Sequence, residues 1–417
     1  MQDESIQLRQ PTAETLRAWT GPVAAAFGEA ITDAEFEHDK EVFELDRLIG
    51  AVEGERWVGA GGAYSFRLTV PGGEIPVAGI TMIGVAPSHR RRGILRSMMR
   101  WLLDQARERG EPVAILWASE GAIYPHFGYG LGCLLSSLDI ERHRTQFARP
   151  AERIGRIRLV EPDEALRLMP PVYDAVRVRT PGAISRNETK WRVQMVSDPA
   201  WNSASMGPKF LAVLEVDGVV RGYAIYRVKS EWGDRGPNNT LHAFEVTGLD
   251  HAAERTLWEW LFSIDLVGHI KVRQGPVPHP LTLQMAEPRQ LGMFVRDGLW
   301  LRIIDVQAAL EARSYAAAGS VALELTDEFC PWNAGRWRVE VSLGDEPGAR
   351  GVATVTATDA DPDLTLDTTD LAATYLGGFT FTDLARAGRV GELRPGAVEV
   401  ADAVFATVVK PWCSTGF

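Results

Sequence analysis

Two spacings of apolar residues alternate along the start of the chain, and together they predict a mixed sheet flanked by helices. Residues 6–9 read as a short strand, and 13–27 carry apolar positions at helical spacing. Apolar runs then fill 45–52 and 57–70 on either side of Glu53-Gly54, which predicts a β-hairpin turning on that glycine. A third run, 75–85, follows the turn Pro71-Gly72-Gly73. Over 93–109 the period lengthens. Ile94, Leu95, Met98, Met99, Leu102, Leu103 and Ala106 mark one face of a helix, and Arg96, Arg100, Asp104, Arg107 and Glu108 the other. Gly110 is a helix stop. The continuous apolar run 112–118 then reads as a strand buried on both faces. The order β-α-β-β-β-α-β is that of a mixed sheet with helices packed on it.

The pattern returns further on. Residues 215–226 (EVDGVVRGYAIY) echo 52–64 (VEGERWVGAGGAY), each a hairpin on an acidic residue and a glycine. Residues 244–267 read as strand, loop and amphipathic helix, parallel to 80–103. Order and spacing agree, which predicts a duplicated domain. From 302 onward the character changes. Strands at 337–343, 352–358 and 363–366 precede helices at 369–376 and 381–387, then a Gly388 turn and a return strand. The expected domains are 1–150, 151–301 and 302–417, the first two α/β and the last α+β.

Composition narrows the chemistry. A length of 417 residues with 45% hydrophobic and 24% charged residues supports more than one core. A net charge of −11 argues against nucleic-acid binding, which needs clustered Lys and Arg. An acidic surface suits cationic small molecules, or serves solubility alone. Cys133, Cys330 and Cys413 are far apart and odd in number, so no disulfide framework is implied and a reducing compartment fits. No cysteine or histidine pair has metal-ligand spacing, so no metal is expected. The opening MQDESIQLRQ is too polar for a signal peptide. No apolar run nears the roughly 18 residues of a membrane span, so a cytoplasmic protein is expected.

The stretch 80–95, ITMIGVAPSHRRRGIL, carries the first chemistry. An apolar strand runs through three arginines and a glycine straight into a helix. The first amides of a helix lack internal partners and lie at the positive end of its dipole, which makes an anion site. The arginines add charge-assisted hydrogen bonds suited to phosphate, and Gly93 lets the main chain come close. A pyrophosphate cradle is the expectation. The second stretch, 119–130, SEGAIYPHFGYG, follows the buried strand. Ser119 reads as a helix N-cap with Glu120 in the first turn, and Phe127 and Tyr129 as core.

Residues 85–95, VAPSHRRRGIL, resemble the acyl-CoA signature of the GNAT superfamily, R/Q-x-x-G-x-G/A. Arg90 and Gly93 match it, and Leu95 stands where many members have a small residue. The resemblance implies that the amides of Arg90, Arg91, Arg92, Gly93, Ile94 and Leu95 hold the pyrophosphate of acetyl-CoA. It implies that Ile83, Gly84 and Val85 pair with the pantetheine arm, and that an amide near Val85 polarises the thioester carbonyl. Ser119, at the end of the neighbouring strand, joins the cofactor-binding set. Tyr124 sits where these enzymes often place a tyrosine, and its phenol, with an ordinary pKa of about 10, is a candidate general acid for the departing thiolate. In the second copy the matching residues, 251–257 (HAAERTL), have neither the arginines nor the glycine, so that domain reads as structural.

RRRGIL, the 119–130 segment, a degenerate second GNAT domain and residues 371–390 (LAATYLGGFTFTDLARAGRV), which look like a sterol-carrier-protein fold, together resemble the Eis (enhanced intracellular survival) family of bacterial acetyltransferases. The resemblance covers nearly the whole chain. It implies tandem GNAT domains, the second degenerate, followed by a sterol-carrier-like α+β domain. It also implies a homohexamer that acetylates amines of aminoglycosides and related polycations, or lysine side chains. In that family the C-terminal carboxylate, here that of Phe417, reaches the first domain's site as general base. The tail PWCSTGF has Trp412 and Phe417 as apolar anchors, and reads otherwise as a frayed end. A cationic acceptor calls for carboxylates. Glu29, Asp33 and Glu37, one helical turn apart, read either as an acceptor-binding face or as a solvated acidic helix. Trp19 and Phe27 read either as an apolar wall or as core. Two other functions stand beside the enzyme: an acyl-CoA-binding assembly protein without catalysis, and a carrier of apolar ligands through the last domain. An intact Tyr124 and an anchored terminus favour the enzyme.

Overall fold

The computed structural model describes residues 6–234, 236–344 and 350–417, so the first five residues of the polar opening lie outside the described part. The first sheet is built from β1 (Gln7–Arg9), β2 (Leu48–Glu53), β3 (Arg56–Val70), β4 (Gly73–Val85), β5 (Val113–Trp117) and the short β6 (Gly130–Leu131). The first four follow one another antiparallel, and β5 lies parallel to β4. The seventh strand, Leu299–Ile303, is inserted between β5 and β6, antiparallel to both.

The helices are α1 (Leu16–Trp19), α2 (Gly21–Phe27), α3 (Asp33–Asp39) and α4 (Ile94–Glu108). The helix expected over 13–27 is thus two. Gly21-Pro22 restarts it, because Pro22 has no amide to donate and fits only a first turn. On α4 the predicted apolar face is buried at Ile94, Met98, Met99, Leu102, Leu103 and Ala106, against Ile49, Ala51, Ala63 and Leu116. Each buried Leu or Met contributes roughly 1.5–3 kcal/mol. The opposite face is not left to water. The guanidinium groups of Arg96 and Arg100 lie 5.0 and 4.0 Å over the Phe329 ring, and that of Arg107 lies 4.4 Å over Trp332.

Met1–Cys133, Leu299–Val408 and Gly416–Phe417 form one compact unit, and Leu134–Gly298 with Val409–Thr415 a second. Within the first unit a five-stranded sheet runs Val352–Ala357, Gly335–Ser342, Gly319–Thr326, Leu364–Asp367, Val390–Glu392. Its helices Thr368–Tyr375 and Phe381–Arg386 fall where the sequence predicts, and Ala397–Phe405 adds a third. The buried Arg302 donates both terminal nitrogens, to Asp327 at 2.6–2.7 Å and to Thr368 at 2.9 Å, which ties the inserted strand to the loop before Gly335.

The second unit repeats the scheme. Lys209–Val216 and Val219–Lys229 turn on Asp217-Gly218, as the repeat predicts. Asn239–Gly248 and Val267–Gly275 lie parallel, joined through the helix His251–Ser263. Leu134–Glu141 lies beside Val267–Gly275 in this sheet. Among the described residues no helix is long and apolar enough to cross a membrane.

Candidate active site

The site starts where two strands part. β4 and β5 pair over Val77↔Val113, Ala78↔Ala114 and Gly79↔Ile115, and no further. Beyond Gly79, β4 continues to Val85 with β3 on one edge alone. A bulge lies in this arm. Gly62 pairs with Thr81 and Ala60 with Gly84, and Met82 takes φ 55°. Past the bulge, the Ala86 amide donates to Val58 of β3 at 2.9 Å. Strand alternation therefore turns the Val85 N–H to the opposite edge, the one β5 has left. Ile83, Gly84 and Val85 thus lie on the arm that offers unpaired main chain.

The arm leads into the arginine loop. Gly93, at φ 80°, is the N-cap of α4 and no side chain caps the helix. A Cβ on Gly93 would meet nothing within 4 Å, and the first amides of α4, those of Ile94 and Leu95 included, have no partner within the helix. The three arginines differ. Arg92 donates to Glu53 at 3.0 Å, and His89 contacts the other oxygen of that carboxylate at 3.0 Å. These two partners hold the Glu53 carboxyl below its usual range, the His89 hydrogen bond most of all. Arg90 is 3.9 Å from Glu120 and largely exposed. Arg91 takes φ 63° and has no acidic partner among the described residues. The loop thus has one arginine serving as a strut and two open to an anion. Its strut partner, Glu53, reads in the sequence only as a turn residue.

The other arm, β5, leads to Ser119 and Tyr124. Ser119 does not start an α-helix, because Pro125 allows only the 3₁₀ turn Tyr124–Phe127. Its hydroxyl lies close enough to the Tyr124 phenol to pull that group's pKa down. Tyr124 is 6% exposed and meets Tyr129 edge-on at 6.0 Å. Burial, with Glu120 adding to it, raises the phenol above its usual pKa, against the pull of Ser119. The phenol therefore keeps its proton through neutral and mildly alkaline pH.

Phe417 closes the fork. Its ring lies 5.1 Å from Phe66 on β3 and 6.4 Å from Trp117 on β5, edge-on to both. A Cβ on Gly79 would come within 2.5 Å of Phe66 and 3.2 Å of Phe417, so the glycine makes room for both rings. The ring of the last residue thus sits over the last paired residue of β4. Phe66 and Trp117 are readable in the sequence only as strand positions.

The acidic segment is arranged differently from its spacing. Gly28, at φ 69°, ends α2, and Thr32 starts α3 with a capping box to Glu35. Glu29 lies in the link between them, off the helix that carries Asp33 and Glu37. Asp33 pairs with Arg17 at 3.2 Å and Glu37 with Lys40 at 2.5 Å. Trp19 is core, its indole donating to the Ile49 carbonyl at 2.8 Å, whereas Phe27 is exposed. Asp39 and Glu44, further along the same acidic segment, lie near the Tyr64 phenol. Glu44 accepts from the amide and hydroxyl of Ser65 at 2.8 and 2.5 Å.

In the second unit the matching helix start is taken. The Asp250 carboxylate accepts the Ala253 amide at 2.9 Å and also pairs with Arg221. A side-chain carboxylate caps this start, whereas no side chain caps α4.

Residues 7–132 and 182–303 each match an acetyltransferase (GNAT) domain family, and 306–414 match a sterol carrier protein domain family. The chain is 41% identical to an uncharacterized N-acetyltransferase of Streptomyces avermitilis, over 96% of each. It is 35% identical to the N-acetyltransferase Eis of Mycobacterium tuberculosis, over 86% of each. Among solved structures, Eis1 from Mycobacterium abscessus superposes with a TM-score of 0.82 at 32% identity, covering 99% of this chain and 100% of that one. A GCN5-related N-acetyltransferase from Anabaena variabilis has a TM-score of 0.84 at 20% identity, over 99% and 100%, a likeness of fold.

Proposed function

This chain belongs to the Eis family of GNAT N-acetyltransferases, and from that premise we propose that its residues 1–150 transfer acetyl from acetyl-CoA directly to an amine. The segment 151–301 serves as a non-catalytic GNAT-type domain, and the sterol-carrier-like segment 302–417 lends the site its terminal residue. The amides of Arg90 to Leu95 hold the pyrophosphate, helped by the open side chains of Arg90 and Arg91, with Arg92 fixing the loop through Glu53. Ile83, Gly84 and Val85 receive the pantetheine arm, and the outward Val85 amide polarises the thioester carbonyl.

The Phe417 carboxylate takes a proton from the acceptor ammonium, directly or through a water. The freed amine attacks the carbonyl carbon and a C–N bond forms; the nitrogen passes its second proton to water, the C–S bond breaks, and solvent later restores the proton that Tyr124 donates. Tyr124, whose phenol burial keeps protonated, gives that proton to the departing sulfur. No covalent enzyme intermediate is needed, and proximity supplies much of the acceleration. The observation that carries this reading is the Phe417 ring over Gly79, at the fork whose two arms lead to Val85 and Tyr124.

The acceptor is a cation of the aminoglycoside or lysine type. Of the acidic set Glu29, Asp33 and Glu37, Asp33 and Glu37 already have cationic partners, so Glu29 is the carboxylate left to attract it. The protein works in the cytoplasm as a homohexamer, for which light scattering is the check. A cavity of about 570 Å³ beside β6, walled by Leu131, Trp300, Ala373 and Phe379, favours a second, apolar-ligand role.

CoA thiol release with an aminoglycoside, spermidine and a lysine peptide tests the proposal, in wild type, Tyr124→Phe and a chain extended beyond Phe417. Both variants are expected to lose roughly a hundredfold or more in kcat while acetyl-CoA still binds. Full turnover by the extended chain would remove Phe417 as base, and full turnover by Tyr124→Phe would remove the acid.

A further inference from the structure

The cleft of the second compact unit is filled by the chain's own C-terminal segment. Asn239–Gly248 and Val267–Gly275 pair from Asn239↔Val267 to Ala243↔Val272 and then part, as β4 and β5 do. Glu245 lies two residues past the last pair and is buried. It accepts from both terminal nitrogens of Arg186 at 2.8 Å, from the Tyr223 hydroxyl at 3.0 Å and from the Ser414 hydroxyl at 2.9 Å. Arg186 also donates from Nε to the Thr415 hydroxyl at 2.9 Å, and its guanidinium lies 3.7 Å over the Tyr173 ring. The Tyr173 hydroxyl is 2.9 Å from that of Thr415. Upstream, Trp412 donates its amide to Pro181 at 2.8 Å and its indole to Gln274 at 3.0 Å. Three tail residues are therefore tied to this unit, two of them through one buried ion pair.

A buried ion pair is a poor source of stability compared with apolar side chains, but its directional donors fix a geometry. Arg186 and Glu245 have side-chain exposures of 0% and 2%, and both spend hydrogen bonds on the tail. The second fold uses both of its anion-site features internally: Asp250 takes the helix start and residues 409–415 take the cleft.

We infer that the second fold is a receptor for residues 409–415, and that Arg186 is a positioning residue for the terminal carboxylate, acting through Thr415. The inference rests on the proposed role of Phe417 as base. Gly416 is the single residue between Thr415 and Phe417, and a glycine leaves the main chain free to turn. The hold on Thr415 therefore sets how widely the terminus can wander. Releasing it lowers the effective concentration of the carboxylate at the amine.

Cys413, buried between Trp412 and Ser414, reports the state of the tail. Iodoacetamide labelling of Cys413 would be followed by peptide mass spectrometry, alongside kcat and acetyl-CoA affinity. Thr415→Val exchanges the hydroxyl for a methyl group of similar size, and Arg186→Gln breaks the ion pair. In both, Cys413 labelling is expected to quicken and kcat to fall at least about tenfold, with acetyl-CoA affinity within about twofold of wild type. The chain extended beyond Phe417 is run beside them. If it keeps full turnover, Phe417 is not the base and that reading falls, whatever the labelling. If the extension abolishes turnover but both variants keep wild-type kcat despite faster labelling, the positioning role is overturned. Unchanged Cys413 labelling in both variants overturns the receptor itself.

Discussion

His279 is buried against Trp258, its Nδ1 accepts the Leu281 amide at 3.2 Å, and desolvation lowers its pKa from 6.5 to about 4. Below pH 6.5 the unfolded chain binds a proton that the folded chain refuses until about pH 4. The stability that the neutral ring contributes is therefore complete above about 6.5 and lost as pH falls towards 4, by on the order of 3 kcal/mol. His279→Gln should flatten the fall of thermal midpoint over that window. A variant whose midpoint falls as steeply as wild type would place the acid sensitivity elsewhere. Other residues differ in how legible they were. Gly93 and Tyr124 could be singled out because each stands in a local motif beside a strand end. Glu53 could not, since Arg92 and His89 lie 39 and 36 positions away. Glu29, Asp33 and Glu37 show the converse. Their helical spacing is real, but Gly28 and Thr32 interrupt the helix that would align them.

Among the elements, α4 was read nearly end to end, because one apolar stripe faces the sheet and glycines flank it. What the period could not reveal is that Phe329 and Trp332, remote in sequence, would stack on its arginine face. The two flanking glycines make a matched pair. Gly93 and Gly110 both have positive φ, 80° and 71°, and a Cβ on either would meet nothing within 4 Å. Alanine at either position should therefore cost about 1–2 kcal/mol through backbone strain alone. Gly93→Ala should also weaken acetyl-CoA binding about tenfold, because it alters the loop that holds the phosphates, whereas Gly110→Ala should not. Calorimetric titration with CoA checks this. Equal affinities in the two variants would dissociate Gly93 from the cofactor. The β4–β5 fork was less legible than α4, since alternation marks both strands but not the residue at which pairing stops.

On the scale of the whole molecule, the duplication was visible because two hairpins and two strand–helix units recur in the same order. The strand Leu299–Ile303 was not, since nothing local tells an apolar strand that it will join a sheet whose other members end at Leu131. The tail carries the same lesson. Trp412 and Phe417 marked it as an anchored end, yet Ser414 and Thr415, small polar residues without a motif, make the bonds to Arg186 and Glu245. The most direct test of the central claim is a single turnover with acetyl-CoA carrying an isotopically labelled acetyl group and an excess of an amine acceptor, read by mass spectrometry of both acceptor and protein. Direct transfer at the β4–β5 fork predicts the label on the acceptor nitrogen, one acetyl for each CoA thiol released, and none on the protein. Label held on the protein, or thiol released with the label ending as free acetate, would contradict it.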